Sequence, residues 1–214
     1  MSVSDLEKAE VWIQGGNQLR AKGQYSEAIA FYQEALNFNP DAVEAYGHLG
    51  DLYWRQGDLT QAIAYCQRAL KLEPQSGEVY KTLGNIFQSQ EKWAAAERAY
   101  QQAVQIIPEF AAAYANLGSL YYRRGESQRA IACYEKALTL EPAQGALYWN
   151  LGTLYHDLER LGEALESWQD ALRREPTLGT AQRYLTIGNA LLTLARVEEA
   201  IDHYEQAIAL QPNF

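Results

Sequence analysis

Aromatic, small and proline residues recur along this chain at a nearly constant interval. Successive prolines are separated by 34, 34, 34, 34 and 36 residues, and they are Pro40, Pro74, Pro108, Pro142, Pro176 and Pro212. A period in this range is typical of repeat proteins, in which each repeat is one supersecondary unit. We therefore number positions within six repeats, which start at Ala9, Val43, Gly77, Ala111, Gly145 and Ala181.

The same kinds of side chain occupy the same position in successive repeats. Position 8 is glycine and positions 20 and 27 are alanine in all six, while positions 4 and 24 are aromatic except for Cys66 at position 24 of repeat two. Spacings of three and four place these residues on one face of a helix. Glycine at position 15 of three repeats and proline at position 32 mark helix ends. The pattern predicts two closely packed helices per repeat, at about positions 1–14 and 17–30.

The segment from Ala113 to Pro142, AYANLGSLYYRRGESQRAIACYEKALTLEP, closely resembles the consensus of the tetratricopeptide repeat. The resemblance covers residues 9–214 as one solenoid domain, and residues 1–8 form a lead-in that extends the first helix. It implies an all-α fold, a right-handed superhelix of antiparallel helix pairs in which each repeat contacts only its neighbours. Gly15 at position 7 and Cys66 depart from the consensus.

Charge and cysteine content narrow the classes of partner. Twenty-seven acidic against 18 basic residues give a net charge of −9, which disfavours binding to nucleic-acid phosphates or to an anionic membrane. No apolar run has the length of a membrane span, and no signal peptide is evident. Cys66 and Cys133 indicate no disulfide framework. We expect a cytoplasmic protein without nucleic-acid binding or membrane insertion.

No group of residues in the sequence is typical of a catalytic or metal site. His48, His156 and His203 fall in different repeats, and none has a second histidine or cysteine at ligand spacing. The glycines recur at the repeat period, so they serve packing and turns rather than a phosphate-binding loop. We therefore expect a protein that is not an enzyme and needs no cofactor or metal.

Residues that the repeat itself does not require indicate a candidate partner-binding surface. Positions 2, 5, 6, 9, 12 and 13 of each first helix lie away from the second helix, and the family resemblance implies that this face lines a concave groove for extended peptides. Side-chain amides suit a peptide backbone, and large aromatic residues among polar groups are typical of interface anchors. The predicted site consists of Trp54, Lys81, Asn85, Asn116, Tyr122, Arg123, Trp149, Asn150 and His156. The alternative is that each aromatic residue packs against an adjacent repeat and is mostly covered.

Two binding modes of the family match this chain only in part. The carboxylate clamp of co-chaperones is matched by Lys81, Asn85 and Asn116, but Ala146 and Asn150 occupy its two remaining basic positions. The asparagine ladder at position 6 is matched by Asn116 and Asn150 alone. Neither mode is therefore complete.

The resemblance leaves three functions open. The main interpretation is a non-enzymatic interaction module or scaffold that binds an extended segment of a protein or peptide partner. The first alternative is that the chain is the N-terminal substrate-recognition arm of a longer enzyme. The second alternative is a self-assembling, homo-oligomeric scaffold. Self-association would use the last helix, where the residues at positions that cover a following repeat are Ile201, Tyr204, Ala207, Ile208 and Leu210, and we expect these side chains to be uncovered.

The junction between repeats five and six is predicted to be the weakest. Arg174 and Arg183 replace apolar residues at positions 30 and 3, and Gly179 and Thr180 lengthen the connection by two residues. Two arginines in one junction forgo apolar burial and repel each other unless an acid intervenes.

Overall fold

A computed structural model describes residues 2–212, and these form twelve α-helices and one short 3-10 turn. The first helices of the six repeats are α1 (Val3–Ala21), α3 (Val43–Arg55), α5 (Gly77–Ser89), α7 (Ala111–Arg123), α9 (Gly145–Asp157) and α11 (Ala181–Thr193). The second helices are α2 (Tyr25–Phe38), α4 (Leu59–Leu72), α6 (Trp93–Ile106), α8 (Ser127–Leu140), α10 (Leu161–Arg174) and α12 (Val197–Leu210). The predicted helix pairs are confirmed.

The first helix begins before the first repeat, as predicted. Ser2 caps α1: its hydroxyl accepts a hydrogen bond from the backbone N–H of Asp5, and the Asp5 carboxylate accepts one from the N–H of Ser2. This reciprocal pair satisfies two N–H groups that have no partner within the helix. The same bonds lower the pKa of Asp5.

The described residues fall into two compact units that divide between Asn116 and Leu117, within α7. Unit 1 contains α1 to α6, and its core includes Ile13, Tyr32, Leu49 and Leu52 at one level and Cys66, Val79, Leu83 and Ile86 at the next. Unit 2 contains α8 to α12, and its core includes Tyr134, Leu154, Leu165, Trp168, Ile187 and Leu191. In both units the buried side chains lie between helices of one repeat and between consecutive repeats.

Position 8 allows the two helices of a repeat to approach closely. A Cβ atom added to Gly84 would lie less than 3.0 Å from the ring of Tyr100, and the same holds for Gly16 and the ring of Tyr32. The large residue at position 24 therefore rests directly on the glycine backbone of the partner helix. The Sγ atom of Cys66 takes the place of the ring opposite Gly50.

The departure at Gly15 also has a packing cause. Its added Cβ would lie 2.7 Å from the ring of Phe31, which stacks edge-on against Trp12. Phe31 is the residue at position 23, where the other repeats carry tyrosine or a smaller side chain. In repeat one, as it is packed, this ring leaves no room for a Cβ atom at position 7.

The residue at position 15 is left-handed in every repeat. Gly23, Gly57 and Gly125 have φ between 73° and 83°, which confirms the predicted helix ends. Glu91, Glu159 and Ala195 adopt the same conformation with φ between 57° and 60°. Because a Cβ atom disfavours this conformation by about 1–2 kcal/mol, the turns of repeats three, five and six are held by the packing of their helices.

Repeats five and six are joined by a structured turn rather than by a loose loop. Pro176–Leu178 forms the 3-10 turn, and Thr180 caps α11 by accepting a hydrogen bond from the N–H of Arg183. The guanidinium of Arg174 lies over Tyr148 at 4.2 Å, and that of Arg183 lies over Trp149 at 4.4 Å and donates to the carbonyl of Leu178. Each arginine thus stacks on an aromatic ring, which recovers part of the burial that the substitution was expected to forgo.

Of the five α12 side chains predicted to be uncovered, three are exposed, whereas Ala207 is buried and Tyr204 is partly buried against Gly188, because positions 27 and 24 face the partner helix. Ile201 is 50% exposed, whereas Ile29 and Leu165 at the same repeat position are 7% and 1% exposed. Ile208 and Leu210 are exposed to a similar extent as Ile201. These side chains are uncovered because no further repeat lies against them in this structure.

Candidate partner-binding surface

Four of the predicted site residues lie in unit 1 and are partly exposed: Trp54, Lys81, Asn85 and Asn116. They occur on α3, α5 and α7, at positions that face away from the second helices. We call the outward surface of α1, α3 and α5, together with Asn116, the first-helix face of unit 1.

Two of these residues are joined by their side-chain amides. The Asn85 Oδ1 atom accepts hydrogen bonds from the Tyr100 hydroxyl at 2.7 Å and from Asn116 Nδ2 at 2.8 Å. Burial raises the pKa of Tyr100, so this hydroxyl is a donor throughout the physiological pH range. Within residues 2–212, Asn85 Nδ2 and Asn116 Oδ1 have no hydrogen-bond partner. One donor group and one acceptor therefore remain for another molecule.

The link between Tyr100 and Asn85 recurs in other repeats. In each case the tyrosine at position 24 donates a hydrogen bond to the asparagine at position 9. Tyr32 donates to Asn17 at 2.6 Å, and Tyr204 donates to Asn189 at 2.9 Å. Asn85 thus contributes to the packing of its own repeat as well as to the surface. The sequence reasoning did not identify this contact, although the constant separation of 15 residues is a signal for it.

Trp54 contacts the neighbouring repeat, whereas Lys81 contacts residues of its own repeat. Trp54 Nε1 donates to Ser89 Oγ at 2.8 Å, and the ring remains partly exposed. Lys81 forms an ion pair with Glu78 at 2.7 Å and lies over the ring of Phe110 at 5.2 Å. Each side chain is therefore held in place while part of it stays accessible.

A cavity of about 560 Å³ opens on the first-helix face of unit 1. Charged and polar groups from α1, α3 and α5 and from the turn after α4 line most of it: Arg20, Glu44, His48, Asp51, Arg55, Glu73, Ser76, Glu78, Lys81 and Thr82. Val43, Gly47 and Val79 complete the wall. Of the predicted site residues, Lys81 alone is among the residues that line it.

A chain of hydrogen bonds leads from Tyr32 to two residues of the cavity lining, Glu44 and His48. The Tyr32 hydroxyl donates to Asn17, and Asn17 Nδ2 donates to Glu44 at 3.1 Å. Glu44 also contacts His48 Nε2 at 3.2 Å. Burial and the nearby charge of Arg20 lower the pKa of His48, so this imidazole is neutral at pH 7.

The other five predicted residues lie in unit 2, on α7 and α9. The Tyr122 hydroxyl donates to Asp157 at 2.5 Å, and this bond, together with burial, raises the pKa of Tyr122 to about 12. Tyr122 and Trp54 both occupy position 12 and both donate to position 13 of the following repeat. Arg123 is exposed.

Trp149 has both a packing role and an accessible edge. Its ring stacks on Trp168 with centroids 5.4 Å apart, and Arg183 covers the ring at 4.4 Å. It nevertheless remains partly exposed, while Asn150 and His156 beside it are exposed. The three aromatic residues therefore contact adjacent repeats without being fully buried. That all nine residues act as one binding surface stays a prediction.

Cys66 is a buried free cysteine, and Cys133 is a partly buried one. Burial raises the pKa of the Cys66 thiol to about 12, and it also raises the pKa of Cys133. Among residues 2–212, no group of three or more histidine, cysteine, aspartate or glutamate side chains is arranged to hold a metal ion. No helix in that part of the chain is long and apolar enough to cross a membrane.

Family models match nearly the whole chain. A model described as TPR repeat matches residues 16–57. Of two models described as tetratricopeptide repeat, one matches residues 41–109 and 143–213, and the other matches residues 111–143. A comparison with curated proteins found no match.

Solved structures share the same fold. PilF from Pseudomonas aeruginosa is 18% identical, with a TM-score of 0.86 over 99% of this chain and 95% of its own. MamA is 31% identical, with a TM-score of 0.62 over 76% of this chain and 95% of its own. YrrB, a TPR protein with an unusual peptide-binding site, is 20% identical, with a TM-score of 0.67 over 85% of this chain and 93% of its own. An all-α solenoid of antiparallel helix pairs is therefore confirmed.

Proposed function

Because this chain belongs to the tetratricopeptide repeat family, we propose that it is a non-enzymatic interaction module that binds an extended segment of a partner protein along its first helices. The observation that carries the proposal is the cavity of about 560 Å³ between α1, α3 and α5. Its volume lies within the range of sites that enclose a ligand group. The peptide-binding site of YrrB, whose chain has the same fold, supports the same class of ligand.

The polar groups beside the cavity suit a peptide backbone. Asn85 offers an amide donor and Asn116 an amide acceptor, and both are held by the hydrogen bond between them. A backbone peptide group has one donor and one acceptor, so the two side chains can bind a segment without regard to its sequence. Trp54 adds an exposed ring edge whose position is fixed by Ser89. Since this surface is held before binding, little ordering cost is expected.

We also propose where the protein is located and that it has no catalytic activity. Tetratricopeptide repeat proteins are generally non-catalytic scaffolds. We place this one in the cytoplasm because Cys66 and Cys133 are free thiols. The net charge of −9 favours a protein partner over a nucleic acid.

A random peptide library with acetylated and amidated ends tests the proposal. We expect the wild-type chain to enrich a family of extended peptides. Trp54→Ala should then weaken binding of the enriched peptide by about 1–3 kcal/mol, as loss of an aromatic anchor does. Affinity is measured by fluorescence anisotropy at a temperature where circular dichroism shows each variant folded, since Trp54 also donates a hydrogen bond to Ser89.

Trp12→Ala is the matched control, because Trp12 packs against Phe31 rather than on the outward surface of its helix. It should leave peptide affinity unchanged. Failure to enrich any peptide, or an equal loss of affinity in the two variants, would contradict the proposal.

A second candidate function is self-assembly, which the exposed apolar face of α12 favours. We expect reversible association in sedimentation experiments over about a hundredfold range of protein concentration. Ile201→Lys should keep the chain monomeric, because it places a charge on a side chain that is 50% exposed only for want of a covering partner. Val3→Lys, at an exposed site on α1, should not change the association. A wild-type chain that stays monomeric throughout would exclude this candidate.

A further inference from the structure

Most of the charges that line the cavity of unit 1 are already paired with each other. Three pairs of opposite or complementary groups lie within 3.2 Å: Arg55 with Asp51, Lys81 with Glu78, and His48 with Glu44. Each pair comes from a single helix, so these groups are satisfied before any partner arrives. Because His48 is neutral, the Glu44 carboxylate keeps its negative charge, and Arg20 and Glu73 are the charged residues of the lining that lie outside these pairs.

The two remaining charges differ in burial. Glu73 is exposed, so water can solvate its carboxylate. Arg20 is partly buried, and its side chain hydrogen-bonds the Tyr32 hydroxyl, but its Nε atom is buried without a hydrogen-bond partner within the described residues. Among these residues, no carboxylate lies within ion-pair distance of its guanidinium. A buried N–H group without an acceptor costs free energy, and the cost is larger when the group is charged.

An acceptor that entered the cavity would remove this cost. A carboxylate accepts charge-assisted hydrogen bonds from a guanidinium and neutralises its charge at the same time. A dianionic phosphate suits the cavity less well, since four carboxylates already line it: Glu44, Asp51, Glu73 and Glu78. A single carboxylate is repelled less by these four groups than a dianion is.

We propose that Arg20 receives the carboxylate of an aspartate or glutamate side chain from within the bound segment, a refinement that rests on the proposed function. The acid comes from the interior of the segment because the first-helix face continues beyond the cavity to Asn85 and Asn116. The three internal pairs of the cavity then remain intact, and the Arg20 Nε–H group gains the acceptor that it lacks within the described residues. This subsite differs from the carboxylate clamp, because it uses position 12 of repeat one.

The subsite can be tested without knowing the partner. Nitrogen-15 spectra resolve arginine Nε–Hε groups, and Arg20→Lys assigns the signal of Arg20. N-acetylglutamate N-methylamide is the probe, and N-acetylglutamine N-methylamide is its neutral control of nearly the same shape. We expect the acidic probe to shift the Arg20 signal to saturation, with an affinity at least about tenfold higher than that of the neutral probe.

Arg20→Gln should abolish saturable binding of the acidic probe. Arg68→Gln is the matched control, because Arg68 pairs with Asp41 outside the cavity. Equal shifts with both probes, or shifts of the same size at Arg20 and Arg68, would overturn the inference.

The peptide library separates this inference from the proposed function. We expect enriched peptides to share an acidic residue at one position and to lose at least about tenfold in affinity for Arg20→Gln. Enriched peptides without such a residue would refute the acidic subsite and leave the proposed function standing. Binding of the acidic probe at Arg20 without any enriched peptide would refute the proposed function and leave the acidic subsite standing. A requirement for a free carboxyl terminus would also refute an acid from within the segment.

Discussion

Replacing Gly84 by alanine is expected to lower the free energy of unfolding by about 2 kcal/mol, although alanine normally favours a helix over glycine. The new methyl group would overlap the ring of Tyr100. That ring is 1% exposed, and its hydroxyl is bonded to Asn85 and Gln88, so it cannot turn aside without losing contacts. The two helices of repeat three would have to separate. Urea denaturation measures the loss, and hydrogen exchange in α5 and α6 locates it.

Gly162→Ala is the matched control. Gly162 lies in the first turn of α10, and an added Cβ would meet nothing within 4 Å. The same substitution should therefore stabilise the chain by up to about 1 kcal/mol through helix propensity alone. A change of the same sign at both glycines would show that the position-8 contact does not determine the outcome.

Replacing Trp168 by alanine should cost about 3–5 kcal/mol, the range found for removal of a large buried aromatic side chain. The indole is 1% exposed, stacks on Trp149 and lies 5.5 Å from the ring of His156. It also rests on the backbone of Gly152, so its removal leaves a cavity between two helices that cannot easily close. We expect the loss in denaturant unfolding, together with loss of the near-ultraviolet circular dichroism of the stacked pair.

Trp168→Phe should be much milder than Trp168→Ala. The indole Nε1 atom is buried without a hydrogen-bond partner among residues 2–212, so phenylalanine removes an unsatisfied donor while it keeps most of the ring. Trp12→Ala, at a half-buried ring, provides a scale for a less central tryptophan. If Trp168→Ala costs no more than Trp12→Ala, the ring does not hold unit 2 together in the manner described.

The helices were predictable because packing determines both their sequence pattern and their ends. The second helices begin and end at the predicted residues in all six repeats, since positions 20, 24 and 27 must face the partner helix. The left-handed turns were predicted only where glycine marks them. Glu91, Glu159 and Ala195 carry no such signal, because their conformation is imposed by the helices on either side.

The candidate surface was less predictable than the fold. Sequence reasoning placed Arg20, His48, Asp51 and Arg55 on the outward face but preferred asparagine and aromatic residues as binding groups. It could not show which charges neutralise each other, since pairing depends on rotamers and on distances within and between helices. The unpaired state of Arg20 is therefore a property of the three-dimensional structure alone.

The outer surfaces of α1 and α12 differ in how well a further repeat could pack against them. Ala45, Leu49 and Leu52 of repeat two pack in one cluster with Ile29 of repeat one. A duplicate of repeat two joined after Leu210 would meet Ile201 at the same repeat position as Ile29. A duplicate placed before Ala9 would instead meet Val11, the constricted backbone at Gly15 and the exposed amide of Gln18. Duplication of whole repeats, in evolution or in protein engineering, would therefore find a ready apolar surface at α12 and a poor one at α1.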